Sequence, residues 1–288
     1  MDKSTIQTLF PEFERFVRES GLLATAEGIL SAKLPRILGQ GQTRATGLDM
    51  PPAPIERKQE LSRLELPKEI SLSALAQEEI RHIREEVDRT IRELGTEDGL
   101  RRIFAQILHS LNEPKGLKDN RYFAGRLVLH FERNTSTFAW GLTIHHPVIS
   151  RIPPDVSYIV QAHVIAEQTL NALMIDPVDF QKRLGLAWEM SRQNITRDGV
   201  LIGDVARMYL VAAQGERFWR KPSKRNFTDL PPAAFVANLQ HWRRSDTPGK
   251  EFFEFVPATL SQEKSAFYLP VNPEGTLAKP YIYIKRSK

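Results

Sequence analysis

Alternating apolar and polar positions between residues 122 and 146 predict a β-hairpin. The apolar positions on the two arms are Phe123, Leu127, Leu129 and Phe131, then Phe138, Trp140, Leu142 and Ile144. A spacing of two places such residues on one face of a strand, so we expect one face to be buried and the other to be largely exposed. Asn134, Thr135 and Ser136 lie between the arms and are typical turn residues.

Helical periodicity precedes the hairpin and predicts a helical hairpin over residues 71–112. Its first helix carries a heptad seam of residues at alternating steps of four and three, namely Ala76, Ile80, Ile83, Val87, Thr90 and Leu94. Gly95 is placed to end this helix, and Thr96 starts the next. A seam of about three heptads fits packing within the chain as well as an intermolecular coiled coil.

The second half of the chain predicts a run of helices over 155–244, followed by strands over 251–286. The helix starts are marked by cap or proline signatures at Asp155, Asp176-Pro177, Asp198-Gly199 and Pro231-Pro232. Alternation returns at residues 266–271 and 281–284. Because the connections are short and no regular βαβ alternation appears, we expect these strands to join the hairpin in one antiparallel sheet.

The fold class indicated is therefore α+β, with an antiparallel sheet built on the central β-hairpin and covered by a helical layer. A helical N-terminal arm is predicted over 1–34. Gly, Pro and charged residues without either period predict a linker over 35–67. The α+β core domain would then span 68–288.

Composition narrows the function classes only a little. The chain has 288 residues and a formal net charge of +5, a mild excess that favours nucleic acid, an acidic partner or a membrane surface. It contains no cysteine, which excludes disulfides, cysteine nucleophiles and Cys-ligated metal sites. The first sixteen residues carry Asp, Glu and Arg throughout and lack the apolar core of a signal peptide. No run approaches the ~18 apolar residues that a membrane span needs, so we expect no membrane partner and a cytoplasmic location.

The most suggestive chemistry lies in segment 217–225, which mixes cations with aromatic rings. Cations neutralise phosphates and a Trp ring can stack on a base, so the candidate nucleic-acid-binding residues here are Arg217, Trp219, Arg220, Lys221, Lys224 and Arg225. Lys285 and Arg286 near the C-terminus extend the same argument. The order of residues also faintly resembles a helix-turn-helix, although Leu210 stands where that turn usually has Gly. The alternative is that Phe218 and Trp219 belong to the core and the cations form a solvated loop.

Catalytic patterns are weak. His130, Glu132 and His145 could form a metal or acid–base group on the exposed face of the hairpin, whereas His163 fits a satisfied core residue. Phosphate-binding, dinucleotide and serine-hydrolase fingerprints are absent from the sequence. We therefore expect no catalytic residues, no metal and no cofactor.

These patterns together favour a non-catalytic intracellular subunit of a larger assembly that contacts nucleic acid. Partner proteins are expected to bind through the N-terminal arm or through helix 71–94, because a short tethered helix is rarely stable alone. Two alternatives remain at this level. One is a purely protein-binding adaptor subunit, and the other is a metal-dependent hydrolase.

Overall fold

The computed structural model describes most of the chain beyond the predicted arm. The described residues are 50, 53–62, 74–119, 121–192, 199–228, 230–246 and 253–286, with side chains of the helix that begins at Ala74 described from Arg81 onward. The predicted arm, 1–34, and the predicted boundary between linker and core at 67/68 lie outside these residues. Those two predictions stay predictions.

The helices follow the sequence signals closely. Their bounds are α1 Pro54–Ser62, α2 Ala74–Leu94, α3 Glu97–His109, α4 Val156–Leu173, α5 Pro177–Arg192, α6 Ile202–Ala212, α7 Glu216–Arg220 and α8 Pro232–Arg244. The predicted caps act as expected at two starts: Asp155 Oδ1 accepts from Ser157 N at 2.8 Å, and Asp176 Oδ1 accepts from Val178 N at 2.8 Å. Each carboxylate satisfies a backbone N–H that the first helical turn leaves unpaired.

Two helix predictions need correction. The predicted linker is helical over Pro54–Ser62. Residues 199–201 form a short strand rather than a helix start, and the helix begins at Ile202. Strand pairing with the C-terminal residues explains the second case, because Val200 is paired with Ile284 and such a distant partner leaves no local signal.

The strands form two sheets rather than the single sheet that was predicted. The first has the order β1-β2-β3-β4-β5, and the second has the order β6-β9-β7 with β8 paired to β9. Their bounds are β1 Lys115–Lys118, β2 Arg121–Ala124, β3 Leu127–Glu132, β4 Thr137–Thr143, β5 His146–Ile152, β6 Gly199–Leu201, β7 Phe253–Pro257, β8 Phe267–Pro270 and β9 Ala278–Arg286. The ladders described for both sheets are antiparallel, which confirms the α+β class.

The predicted hairpin is present, but its first arm is divided by an additional turn and its second arm ends earlier than predicted. Its central turn lies where Asn134, Thr135 and Ser136 placed it. Its first arm is divided by a turn at Gly125, whose φ of +59° favours glycine and whose N–H donates to Pro114 O at 2.8 Å. Its second arm ends at Thr143, and His146 already opens the next strand.

Strand β4 is buried along its whole length, so the prediction of one wet face was wrong for this arm. The ring of Phe138 contacts Phe104 edge-on at 5.5 Å, and that of Trp140 contacts His163 edge-on at 4.8 Å. A Cβ on Gly275 would lie only 1.9 Å from Leu142 O, so the C-terminal turn there lies directly against β4. A strand that is covered in this way no longer needs a polar face.

The described part of the chain folds into two compact units. One consists of described residues within 1–110, 131–138 and 151–160, and the other within 111–130, 139–150 and 161–288. In the first unit, Leu61 of α1 packs on the seam residues Ile83 and Val87, with Ile91 against them. This portion of the seam therefore packs within the chain, which was the first of its two predicted roles.

The second unit contains helices α5 to α8 and the second sheet. Helices α5, α6 and α8 pack together through rings: Phe180 lies 5.3 Å from Tyr209 and 6.2 Å from Phe235. Ile284 of β9 is fully buried, and its carbonyl accepts a hydrogen bond from Trp188 Nε1 of α5 at 3.3 Å. Among the described residues, no helix combines the length and apolar character that crossing a lipid bilayer requires.

Candidate functional site

The segment that carries the candidate residues leaves a firmly packed helix. Helix α6 buries one face, made of Ile202, Val205, Ala206, Tyr209 and Ala212. The Tyr209 ring lies 5.4 Å from that of Phe235, and burial raises the pKa of Tyr209 to about 12. The phenol of Tyr209 therefore stays neutral at ordinary pH. Because one face of α6 is buried, the following loop starts from a helix that is packed in place.

Residues 214–228, which we call the basic-aromatic loop, are closed by one buried side chain. Gln214 is only 6% exposed. Its Nε2 donates to Leu210 O at 2.7 Å and to Thr228 O at 2.9 Å, while its Oε1 accepts from Thr228 N at 2.7 Å. The side-chain amide of Gln214 thus joins the first residue of the loop to the backbone N–H and carbonyl of the last. The carbonyl of Leu210 and both backbone groups of Thr228 are hydrogen-bonded by it.

The interior of the loop is also hydrogen-bonded. Ser223 O accepts from Asn226 N at 3.0 Å and from Phe227 N at 3.1 Å. The Asn226 side chain donates to Lys221 O at 2.8 Å. Such local bonds give the backbone a defined path, so the side chains of the loop project from a folded base.

Three aromatic rings form a small cluster on this base. Phe218 is the central member, with ring centroids 5.5 Å from Trp219 and 5.6 Å from Phe227, both edge-on. Trp219 is nevertheless 48% exposed and Phe227 is 37% exposed. Trp219 Nε1 donates to Gln214 O at 3.1 Å, which satisfies the one polar group of the indole and fixes its direction.

Five cations lie in the same loop as this cluster, and all of them are exposed: Arg217, Arg220, Lys221, Lys224 and Arg225. Glu216 is the single acid in residues 214–228, and it pairs with Arg220 at 2.5 Å. Both partners are about three-quarters exposed, so the pair is worth little and leaves the guanidinium available. Within the described part of the chain, the other four cations form no ion pair.

The faint helix-turn-helix prediction was wrong. Helix α7 has only five residues, Glu216–Arg220, which gives a length of about 7.5 Å. Leu210 lies within α6 rather than in a turn. A recognition helix lies along the major groove and presents residues on successive turns, which a helix of this length does not provide.

The predicted residues near the C-terminus belong to a different element. Lys285 and Arg286 lie at the end of β9, where both are half-buried. Lys285 is opposite Glu254 in the ladder with β7, and Arg286 Nη1 pairs with Glu189 Oε1 of α5 at 3.1 Å. The guanidinium of Arg286 thus has an acidic partner, whereas Lys285 forms no ion pair within the described part of the chain.

Three of the seven histidines form packing contacts. The ring of His145 stacks on that of Tyr268 at 3.7 Å, and His163 Nε2 lies 3.3 Å from Ala124 O in the core, as predicted for His163. His146 Nε2 lies 2.5 Å from Tyr268 O, and burial lowers the pKa of His146 to about 4. Burial also lowers the pKa of His145, with smaller contributions from Arg121 and His130.

The metal-site alternative finds no arrangement to support it in the residues that the structure describes. Glu132 accepts a hydrogen bond from the hydroxyl of Thr135 in its own turn, at 3.3 Å. No group of three or more His, Asp or Glu side chains that could hold a metal ion occurs among the described residues.

Sequence reasoning did not identify Gln214 as part of the site. Its position before Gly215 marked only the end of a helix. Its partner Thr228 lies fourteen positions further on, and no local pattern links a glutamine to a backbone that distant. Phe227 was also missed, because it stands apart from the run of cations and rings at 217–225.

Comparisons with known proteins add no identity to this arrangement. No family model, no curated protein and no solved structure matches the chain.

Proposed function

We propose that this chain is a non-catalytic, cytoplasmic subunit of a larger assembly that contacts nucleic acid through the basic-aromatic loop. The observation that carries the proposal is the combination of exposed cations and exposed rings on a loop with a hydrogen-bonded base. Five cations against one acid lie within residues 214–228. Such a patch attracts a polyanion, because each phosphate contact releases condensed counterions.

The preorganisation of the loop supports the proposal further. The buried amide of Gln214 holds the two ends of the loop together, and the ring of Phe218 contacts those of Trp219 and Phe227. A ligand that binds such a loop does not have to order it first, so less of the interaction energy is lost as conformational entropy.

The placement of the charges argues against a purely structural role for them. Arg217, Lys221, Lys224 and Arg225 stabilise no neighbouring acid among the described residues. Cations this close together repel one another, which is a cost to the folded protein. The negative charges of a polyanionic partner would attract these cations and offset their mutual repulsion.

The test is a comparison of two charge-matched variants. One carries Arg217→Ala, Arg220→Ala, Lys221→Ala and Arg225→Ala; the other carries Arg84→Ala, Arg89→Ala, Arg101→Ala and Arg102→Ala, which removes four exposed cations from α2 and α3. Fluorescence anisotropy measures the affinity of each protein for labelled oligonucleotides. We expect the loop variant to lose at least tenfold in affinity and the control variant to lose less than twofold.

Two outcomes would count against the proposal. If the wild type binds no oligonucleotide at low salt, nucleic acid is not the ligand. The purely protein-binding adaptor then becomes the better account, with the loop facing an acidic protein partner. If both variants lose affinity equally, binding depends on net charge alone and the loop is not the contact.

A further inference from the structure

The shape of the basic-aromatic loop bears on whether it binds double-stranded or single-stranded nucleic acid. Reading a duplex by direct contacts takes an element that enters a groove, such as a helix of several turns or a two-stranded ribbon. The loop offers only the five-residue helix α7, Glu216–Arg220, followed by turns up to Thr228. Its projecting features are side chains rather than a long regular element.

Trp219 is the feature of the loop best suited to single-stranded nucleic acid. The chain contains four Trp residues, and three of them, Trp140, Trp188 and Trp242, are at most 4% exposed. Trp219 is 48% exposed and lies among cations. Since its Nε1 already donates to Gln214 O at 3.1 Å, the accessible part of the indole is the apolar ring surface. A ring surface of this kind stacks on an unpaired base and is of little use against a closed base pair.

The contacts around Trp219 keep the ring in place. Phe218 supports it edge-on at 5.5 Å, and the same Phe218 ring contacts Phe227 at 5.6 Å. Phe227, at 37% exposed, adds a second partly open ring on the loop. Exposed rings interspersed with phosphate-binding cations are the arrangement by which proteins hold single strands without reading their sequence.

We infer that the basic-aromatic loop binds single-stranded rather than double-stranded nucleic acid, with one base stacked on Trp219. This inference rests on the proposed function and adds the class of ligand to it. Gln214 acts as a positioning residue, because it fixes the indole through its backbone carbonyl and closes the loop through its side chain.

The first experiment compares ligands by anisotropy with the full-length protein. The probes are a labelled oligo(dT), an oligo(U) of equal length, and a duplex of equal length and mixed sequence, all at one salt concentration. We expect at least one of the single strands to bind tenfold or more tightly than the duplex. The two single strands distinguish DNA from RNA as the preferred source of the base.

The second experiment observes the indole itself. Because the other three Trp residues are buried, quenching of intrinsic fluorescence by oligo(dT) or oligo(U) reports on Trp219. We expect saturable quenching in the wild type and none in Trp219→Phe. Trp219→Ala should lose about tenfold in affinity for the single strand, while Trp219→Phe should retain most of it because a ring remains.

The outcomes separate this inference from the proposed function. Equal or tighter binding of the duplex overturns the inference but leaves nucleic-acid contact standing if the loop cations are still required. Preference for single strands with no effect of Trp219→Ala and no quenching overturns the stacking role. Binding to none of the probes overturns the inference and the proposed function together.

Discussion

Trp140 and Trp219 are the same residue type in opposite situations. Trp140 is fully buried in β4 with its ring edge-on to His163 at 4.8 Å. Trp219 is half exposed on a loop whose other large side chains are mostly cations. The first removes apolar surface from water within the fold. The second keeps such surface exposed, so its contribution is expected on binding rather than on folding.

Removing the buried ring should have the largest effect on stability. We expect Trp140→Ala to lower the free energy of unfolding by about 3–5 kcal/mol, through lost burial and the cavity left behind. Trp219→Ala serves as the matched control and should change it by less than about 1 kcal/mol. Urea denaturation followed by far-UV circular dichroism measures both. Similar losses in the two variants would remove the distinction between the rings.

A second large effect concerns pH and belongs to the same buried region. Burial lowers the pKa of His146 to about 4, below its ordinary value near 6.5. The unfolded chain therefore takes up this proton first as pH falls, and folding stability drops between about pH 6.5 and 4, by about 3 kcal/mol in all. Below that window the contribution stays lost, and above it the contribution is fully present.

The control for this pH effect is His146→Gln, whose amide nitrogen can still donate to Tyr268 O but does not titrate. Urea midpoints measured across the same pH range should fall less steeply in this variant. Parallel profiles for wild type and variant would show that His146 does not cause the loss.

Removing the buried amide of the basic-aromatic loop should have the next largest effect on stability. Gln214→Ala leaves the N–H and the carbonyl of Thr228 and the carbonyl of Leu210 without this partner, so we expect a loss of about 1–3 kcal/mol. Amide hydrogen exchange at Thr228 should become faster. Asn226→Ala, which removes one exposed bond to Lys221 O, is the control and should cost less. Unchanged exchange at Thr228 would contradict the role of Gln214 as the closing residue.

The loop cations should matter least to stability. The variant Arg217→Ala, Arg220→Ala, Lys221→Ala and Arg225→Ala removes one exposed ion pair and relieves repulsion, so its free energy of unfolding should change by less than about 1 kcal/mol. Thermal melts and urea midpoints close to the wild type are the expected result. A large loss would mean that these cations are structural, which would weaken the functional proposal.

The comparison of the two regions also explains what the sequence could reveal. Helix caps at Asp155 and Asp176 and the turn at 134–136 are local signals, and each appeared where it was predicted. The division into two sheets depends on pairing between distant residues, such as Val200 with Ile284. A pattern that reports only local periodicity does not contain such pairings.

The candidate site divides in the same way. Its cations and Trp219 stand next to one another in sequence, so their composition alone indicated them, and the structure leaves them exposed. The closure by Gln214 and the ring of Phe227 depend on how the loop returns to its start, which no local pattern shows. Lys285 and Arg286 looked similar by charge, yet Arg286 pairs with Glu189.

The most direct test of the central claim is the salt dependence of oligonucleotide binding. The logarithm of the affinity of the wild type should fall steeply with the logarithm of salt concentration. With a single-stranded probe, the four-alanine variant of the loop should show a slope smaller by about 3, since each phosphate contact contributes roughly 0.7. Equal slopes for the wild type and this variant would contradict the claim that these cations contact phosphates.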